Sequence, residues 1–169
     1  MTERAAFHRR IPVAALLALV APVAAFAASS AGIAAPARNE NPRAYCARVG
    51  TDDALRAPPS SLAPAIERLF HIGERYARNA THYRCARGAL EVCWVGANLP
   101  CGKAKTTRQL PAATQWCQTH ANSDFIPMVV TGHDTLYSWR CAGRKAEPGA
   151  PVGKLDARGF FAEYWKTVK

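Results

Sequence analysis

Residues 81–95 read THYRCARGALEVCWV. Within them, two short runs rich in aromatic and β-branched residues, 82–85 and 90–95, flank the dipeptide Arg87-Gly88. Runs of this composition are typical of strands, and a glycine-containing dipeptide between two of them is typical of a tight turn. The sequence therefore predicts a β-hairpin at this point.

Upstream of the hairpin, the apolar residues Ile66, Leu69 and Phe70 recur with helical spacing. They predict one amphipathic helix near residues 62–78. Downstream, the sequence predicts a helix over Pro111–His120, strands over Phe125–Val130 and Leu136–Cys141, a loop over Gly143–Gly153 and a last strand near Phe160–Trp165. The predicted fold class is α+β, with one amphipathic helix packed on a small, mainly antiparallel β-sheet that disulfides stabilise.

The N-terminus has the pattern of an export signal. Its first ten residues hold three arginines and one glutamate, and no charge follows from residue 11 to residue 28. Prolines 12 and 22 interrupt this alanine-rich run, which argues against a permanent membrane anchor. The predicted organisation is a signal peptide over 1–27, a flexible leader over 28–60 and one disulfide-stabilised α+β domain over 61–169. We expect the protein to be periplasmic or secreted.

Six cysteines lie downstream of the predicted signal. They are Cys46, Cys85, Cys93, Cys101, Cys117 and Cys141. An even number in a small exported domain is typical of a disulfide framework, whose pairing the sequence leaves open. A Cys101–Cys117 bond would close a short loop. A Cys85–Cys141 bond would join two similar segments, Tyr83–Gly88 and Trp139–Arg144, which share an aromatic-Arg-Cys-Ala order and a glycine turn.

Zinc binding is the alternative use of these thiols. Cys85, Cys93, Cys101 and Cys117 supply four sulfurs, but seven residues separate the first from the second and the second from the third. These gaps differ from the short knuckles of structural zinc sites. The chain also has no C-x-x-C redox motif. We therefore predict no metal and no cofactor.

The chain is basic, with 22 Lys and Arg against 12 Asp and Glu and a formal net charge of +10. Without the predicted signal, 19 basic and 11 acidic residues leave a charge of +8. A surplus of this size favours anionic partners such as envelope polymers, acidic glycans or lipid head groups. The basic residues are scattered, so no dedicated nucleic-acid tail is predicted.

Two sets of residues are candidates for a functional site. His133 and Asp134 place an imidazole beside a carboxylate in a predicted turn and form the candidate catalytic pair, unless Asp134 only stabilises the turn. The second set combines strand aromatics with cations, which suits stacking on sugar rings and binding of acidic groups, although core packing is the alternative for its aromatic members. Its members are Arg84, Trp94, Lys103, Lys105, Trp139 and Arg140.

Several short motifs lie between Tyr83 and Lys166. They are Gly96–Ala104, Trp116-Cys117, Asp124–Pro127, Thr131–Asp134 and Trp139–Cys141. In these motifs the chain resembles a family of small exported six-cysteine bacterial proteins, and the resemblance implies no activity, cofactor or catalytic residue. A weaker resemblance, carried by Tyr83 and Cys85 before a β-rich segment, is to periplasmic inhibitors of C-type lysozymes. An inhibitor should complement its cationic enzyme, and a charge of +8 argues against that role.

Export, positive charge and the aromatic and arginine residues of the strands together predict a function. We expect an exported, non-enzymatic binding module for an anionic or glycan-like envelope component. The alternatives are a small envelope hydrolase that uses His133 and Asp134, and a structural or inhibitor-type periplasmic protein.

Overall fold

The computed structural model describes residues 40–94, 96 and 100–169, so the predicted signal peptide lies outside the described residues. The helices are α1 (Pro42–Val49), α2 (Ala63–Phe70), α3 (Glu74–Asn79), α4 (Pro111–Cys117) and α5 (Met128–Thr131). The strands are β1 (Asp52–Arg56), β2 (Thr81–Ala86), β3 (Ala89–Trp94), β4 (Tyr137–Ala142), β5 (Lys145–Pro151) and β6 (Trp165–Thr167). The predicted α+β class is confirmed. None of the helices in these ranges combines the length and apolar character that a membrane crossing requires.

Two antiparallel sheets organise the fold. The larger has the strand order β1-β2-β3-β6, and the smaller consists of β4 and β5. The predicted hairpin is confirmed as β2 and β3, with Ala86 opposite Ala89 and Arg87-Gly88 between them. Both turn residues have positive φ, 51° for Arg87 and 80° for Gly88. This backbone matches the right-handed twist of the flanking strands, which explains why a glycine stands in the turn.

Residues 42–49 and 52–56 of the predicted leader form a helix and a strand, so the prediction of a flexible leader is corrected for this part of the segment. Asn41 accepts a hydrogen bond from the Arg43 N–H and caps α1, and Pro42 occupies its first turn. Tyr45 on α1 is fully buried, and its hydroxyl donates to the Asp52 carboxylate at the start of β1. Helix α1 and strand β1 are therefore part of the folded domain.

The single helix predicted near 62–78 is also corrected, because the structure has two short helices there. Helix α2 ends where His71 adopts a left-handed conformation with φ 56°, and α3 begins after Gly73. The amphipathic pattern belongs to α2, which buries Ile66 completely in the main core. That core lies between the first three helices and the larger sheet, and contains Tyr45, Ile66, Tyr83 and Val92.

Three further element predictions differ from the structure. The predicted strand over 125–130 is replaced by α5, which follows Pro127, because a short apolar run does not distinguish a buried strand from a helical turn. The predicted loop over 143–153 contains β5, whose two prolines are tolerated on an edge strand. The last strand is only Trp165–Thr167, and Phe160 and Phe161 instead make isolated bridges to Lys103 and Leu155.

The disulfide framework is confirmed, but both favoured pairings are wrong. The bonds are Cys46–Cys85, Cys93–Cys101 and Cys117–Cys141. The first joins α1 to β2 and the third joins α4 to β4. The segments 83–88 and 139–144 are not sheet partners, and each instead forms the first strand and turn of a separate hairpin. All four thiols considered for zinc are engaged in these bonds.

Candidate functional site

The predicted catalytic pair lies in the turn between α5 and β4. Asp134 forms an ion pair with Lys105, whose Nζ lies 3.1 Å from its Oδ2. His133 is exposed, and no hydrogen bond joins it to Asp134 in the described ranges. For His133 to act as the predicted general base, the Asp134 carboxylate would have to lie beside the imidazole. In the structure this carboxylate lies beside Lys105 instead.

Two members of the predicted binding set are buried. Only 3% of the surface of Trp139 is exposed, and its Nε1 donates to the Thr135 hydroxyl at 2.9 Å. Arg84 is also 3% exposed. These two residues cannot belong to an exposed binding face, so the prediction that aromatic and arginine residues of the strands share such a face is corrected.

The other members lie at separate places. Lys103 and Arg140 are exposed, and each pairs with a carboxylate, at 2.8 Å from Asp53 and 3.4 Å from Glu147 respectively. Trp94 at the end of β3 is half-buried. The candidate cations are thus largely neutralised by neighbouring acids.

A groove of about 320 Å³ lies between α5, β4 and the segment before β6; we call it the apolar groove. Its lining includes Ile126, Trp139 and Phe161, which are almost fully buried, and Tyr137 and Tyr164. The Ile126 N–H donates to the Trp139 carbonyl at 3.0 Å, and this hydrogen bond attaches the segment before α5 to β4. A concave site lined mainly by apolar and aromatic side chains is typical of ligand pockets.

The rim of the apolar groove is unusually apolar for an exposed surface. Phe125, Met128 and Val152 line it and are exposed, Phe125 by 62%. Val129, next to Met128 on α5, is also exposed. Exposed apolar residues concentrated around one groove mark an interaction site more often than scattered ones do. Phe125 and Met128 were not among the predicted site residues, because the predicted strand over 125–130 assigned them to a sheet.

Polar groups are few at this rim. The His133 imidazole is among the lining residues, and the Arg108 guanidinium lies over the Tyr137 ring at 4.8 Å from its centroid. A cation in this position is attracted by the electron-rich face of the ring, so Arg108 is held against Tyr137, although Arg108 itself is not among the residues that line the groove. The rim therefore offers the His133 imidazole to a ligand on the aromatic surface, and Arg108 places a positive charge next to one of the lining rings.

A second cavity of about 290 Å³ lies beside the larger sheet; we call it the arginine cleft. Its charged lining residues are Arg84, Arg87, Glu91, Asp156 and Arg158, and Trp165 forms part of its wall. It shares no lining residue with the apolar groove. The segment 161–165 contributes to both sites, because Phe161 and Tyr164 line the groove whereas Trp165 lines the cleft.

Arg84 is the centre of the cleft. Its guanidinium carbon lies 4.1 Å from the ring centroid of Phe160 and 4.3 Å from that of Trp165, so it is held between two aromatic rings. Its Nε and Nη2 donate to Glu91 Oε2 at 3.1 and 2.8 Å, and Nη2 also donates to Asp156. Glu91 stands directly opposite Arg84 in the β2–β3 register, which explains this pairing.

Two buried hydrogen-bond donors of this cleft have no partner in the part of the chain that the structure describes. They are Arg84 Nη1 and Trp165 Nε1. Trp94 Nε1 is also buried without a partner, but Trp94 borders the undescribed residue 95 and does not line the cleft. Unpaired buried donors cost free energy and are rare in native proteins, so two of them in one cleft point to a ligand.

An ion-pair cluster fixes one side of the arginine cleft. Asp53 on β1 accepts hydrogen bonds from Arg158 at 2.7 Å and lies 2.8 Å from Lys103 Nζ. The hydrogen bond from Arg158 and the charge of Lys103 hold the pKa of Asp53 below its ordinary value, although partial burial acts in the opposite direction. One carboxylate thus links β1 to two loops that are distant in sequence.

Replacing Asp53 by asparagine should lower the free energy of unfolding by about 1 kcal/mol at pH 7. Because the folded-state pKa of Asp53 is depressed, its contribution is complete above the unfolded value and is lost as the pH falls through the folded value. Urea denaturation at pH 7 and at about pH 2.5 should therefore show a difference from the wild type that shrinks in acid. Asp124→Asn, at an exposed carboxylate, is the control, and an equal deficit of Asp53→Asn at both pH values would contradict the prediction.

Comparison with known proteins gives no further assignment: no family model, no curated protein and no solved structure matches the chain.

Proposed function

We propose that the chain is an exported, non-enzymatic binding module for an anionic or glycan-like envelope component, and that the apolar groove holds the ligand. The observation that carries this proposal is the aromatic part of the groove lining with its exposed Phe125, together with the Arg108 guanidinium over the ring of Tyr137, a lining residue. The same site combines a surface for a sugar ring with a charge for an acidic substituent.

The aromatic lining supports the glycan-like part of the proposal. Sugar rings have apolar C–H faces, which pack on exposed aromatic rings such as that of Phe125. Their hydroxyl groups then face outward, within reach of the imidazole of His133. The volume of about 320 Å³ is at the lower end of the range for small-molecule sites, so the groove suits one or two sugar units.

The charge of the protein supports the anionic part. Arg108 lies over the ring of Tyr137, which lines the groove, and the chain without its predicted signal carries +8. Such a surplus attracts an acidic polymer over distances of about a Debye length and makes the attraction sensitive to salt. Raising the ionic strength should therefore weaken binding of an acidic glycan and leave binding of a neutral one largely unchanged.

Replacing Phe125 by alanine should weaken binding of a soluble acidic glycan about tenfold, because loss of one stacking ring costs on the order of 1–3 kcal/mol. Isothermal titration with carboxylate-bearing peptidoglycan fragments measures this, and neutral chitin oligomers are the comparison. Tyr76→Ala on α3 is the matched control, since Tyr76 is 57% exposed and lies outside the groove. Neither variant should lower the melting temperature by more than a few degrees. Equal binding by the wild type and Phe125→Ala, or no binding by either, would contradict the proposed function.

The hydrolase alternative has one observation in its favour, the position of His133 in the lining of the groove. As a general base, His133 would act on a water molecule at the ligand without help from Asp134, which pairs with Lys105. Chromatography of the glycan after long incubation distinguishes the two functions. Cleavage products that form with the wild type and not with His133→Ala would support the hydrolase. A glycan that the wild type leaves unchanged supports the binding module.

A further inference from the structure

We propose that the arginine cleft is a second binding site, separate from the apolar groove, and that it takes a hydroxylated carboxylate monoanion such as a sugar acid. The two unpaired donors, Arg84 Nη1 and Trp165 Nε1, belong to residues that line this cleft and are 3% and 8% exposed. The inference does not rest on the proposed function, because the two sites have no lining residue in common.

The unpaired donors indicate an acceptor group on the ligand. An N–H that is buried without a partner costs free energy, and a ligand oxygen that accepts a hydrogen bond from it recovers this free energy. Both nitrogen atoms are covered by the surrounding protein atoms. The ligand must therefore displace part of the cleft wall when it binds, and its arrival should change the environment of the Trp165 indole directly.

The charges of the lining indicate a single negative charge on the ligand. Three arginines and two carboxylates leave one net positive charge. Arg84 is paired within the cleft and Arg158 with Asp53, whereas Arg87 is exposed and makes no ion pair with any described residue. A monoanion would neutralise this charge, and Arg87 at the rim would be its first contact.

The acidic residues of the cleft select among anions. Glu91 Oε2 accepts from Arg84, and Oε1 accepts no hydrogen bond from the residues that the structure describes, so it is available to a ligand hydroxyl. A phosphate dianion would instead meet the fixed charges of Glu91 and Asp156 at close range. A carboxylate with neighbouring hydroxyl groups fits both the donors and the acceptors, and this combination defines the class of sugar acids.

The indole N–H signals of the folded protein provide the test. The four tryptophans each give one signal in a nitrogen–proton correlation spectrum, and Trp165→Phe identifies the signal of interest by its loss. Titration with glucuronate should move the Trp165 signal saturably, whereas the Trp139 signal, already hydrogen-bonded to Thr135, should stay in place. Glucose and glucose 6-phosphate should move the Trp165 signal much less at equal concentration. No movement up to about 50 mM glucuronate, which would fill a site with a dissociation constant of about 1 mM, would overturn the proposal.

Two exposed turn arginines give a matched pair of variants. Arg87 and Arg144 both lie in two-residue hairpin turns, but only Arg87 lines the cleft. Arg87→Gln should raise the dissociation constant for glucuronate about tenfold, whereas Arg144→Gln should leave it unchanged. Equal effects of the two substitutions would show a general charge effect and would overturn the site assignment.

Glu91→Gln tests the class of ligand. Loss of one negative charge should shift the preference from glucuronate towards glucose 6-phosphate by about tenfold, provided that the melting curve shows a folded protein. An unchanged preference, or wild-type protein that prefers the phosphate, would overturn the assignment to sugar acids. These outcomes are independent of glycan binding at Phe125, so failure of the cleft proposal and failure of the groove proposal are distinguishable.

Discussion

Replacing Arg84 by methionine should lower the free energy of unfolding by about 3–5 kcal/mol at neutral pH. Methionine preserves the apolar contact with Phe160 and Trp165. The substitution removes the guanidinium cation from which both Glu91 and Asp156 accept hydrogen bonds. Two largely buried carboxylates then lack their counter-charge. Leaving a buried charge unpaired costs more free energy than removing both partners of an ion pair. Urea denaturation followed by tryptophan fluorescence measures the loss.

The pH dependence separates this electrostatic effect from lost packing. Burial alone would raise the pKa of Asp156, but hydrogen bonds from the Phe160 N–H and from Arg84 keep it below its ordinary value. Without Arg84 that support is partly lost, so the Asp156 carboxylate protonates at higher pH and the deficit should shrink as the pH falls towards about 4. The combined variant Arg84→Met, Glu91→Gln, Asp156→Asn should recover most of the lost stability at pH 7. A deficit that is equal at both pH values would contradict the electrostatic explanation.

Arg140→Met is the matched control, because Arg140 occupies the equivalent position in the second aromatic-Arg-Cys-Ala segment. Arg140 is 61% exposed and lies 3.4 Å from Glu147, which is also exposed. Exposed pairs of this kind contribute about 0–1 kcal/mol, so this substitution should change the stability by less than about 1 kcal/mol. A similar loss at both arginines would contradict the structural difference between them.

These two arginines show how far the sequence predicts the structure. The segments Tyr83–Gly88 and Trp139–Arg144 correctly indicated strand followed by turn, because a glycine beside an arginine ends each strand. Local pattern does not specify which sheet a strand joins or what covers it. Arg84 lies in the central part of a four-stranded sheet beneath Phe160 and Trp165, whereas Arg140 lies on the exposed side of a two-stranded sheet.

The apolar groove could not be predicted for a related reason. Phe125–Val130 is a short apolar run, and periodicity over so few residues fits both a strand and a helical turn. The presence of Pro127, which cannot donate a hydrogen bond to a sheet, was the available signal against a strand. The arginine cleft depends on contacts between β2 and the segment 156–165, which begins 72 residues after Arg84 in sequence. A local sequence pattern carries no information about contacts over such a distance.

Removal of the Cys46–Cys85 disulfide should lower the free energy of unfolding by about 4 kcal/mol. The two cysteines are separated by 39 positions, and the bond restricts a correspondingly long loop in the unfolded chain. In the folded protein it connects α1 to β2 within the main core, where both residues are fully buried. The double variant Cys46→Ala, Cys85→Ala should also exchange its α1 amide hydrogens faster, because α1 loses its covalent link to the sheet and keeps non-covalent contacts such as the Tyr45–Asp52 hydrogen bond.

The Cys93–Cys101 bond provides the comparison for this second prediction. It spans only 8 positions, and the same loop-closure argument gives it about 2.5 kcal/mol. Denaturation of both double variants under non-reducing conditions should therefore rank Cys46–Cys85 as the larger contributor by on the order of 1 kcal/mol. Faster amide exchange should be confined to α1 and its neighbours in the first variant. Equal destabilisation of the Cys93–Cys101 variant would contradict the prediction, because loop entropy would then not determine how much each disulfide stabilises the domain. The packing around each buried pair of sulfur atoms would have to explain the stability instead.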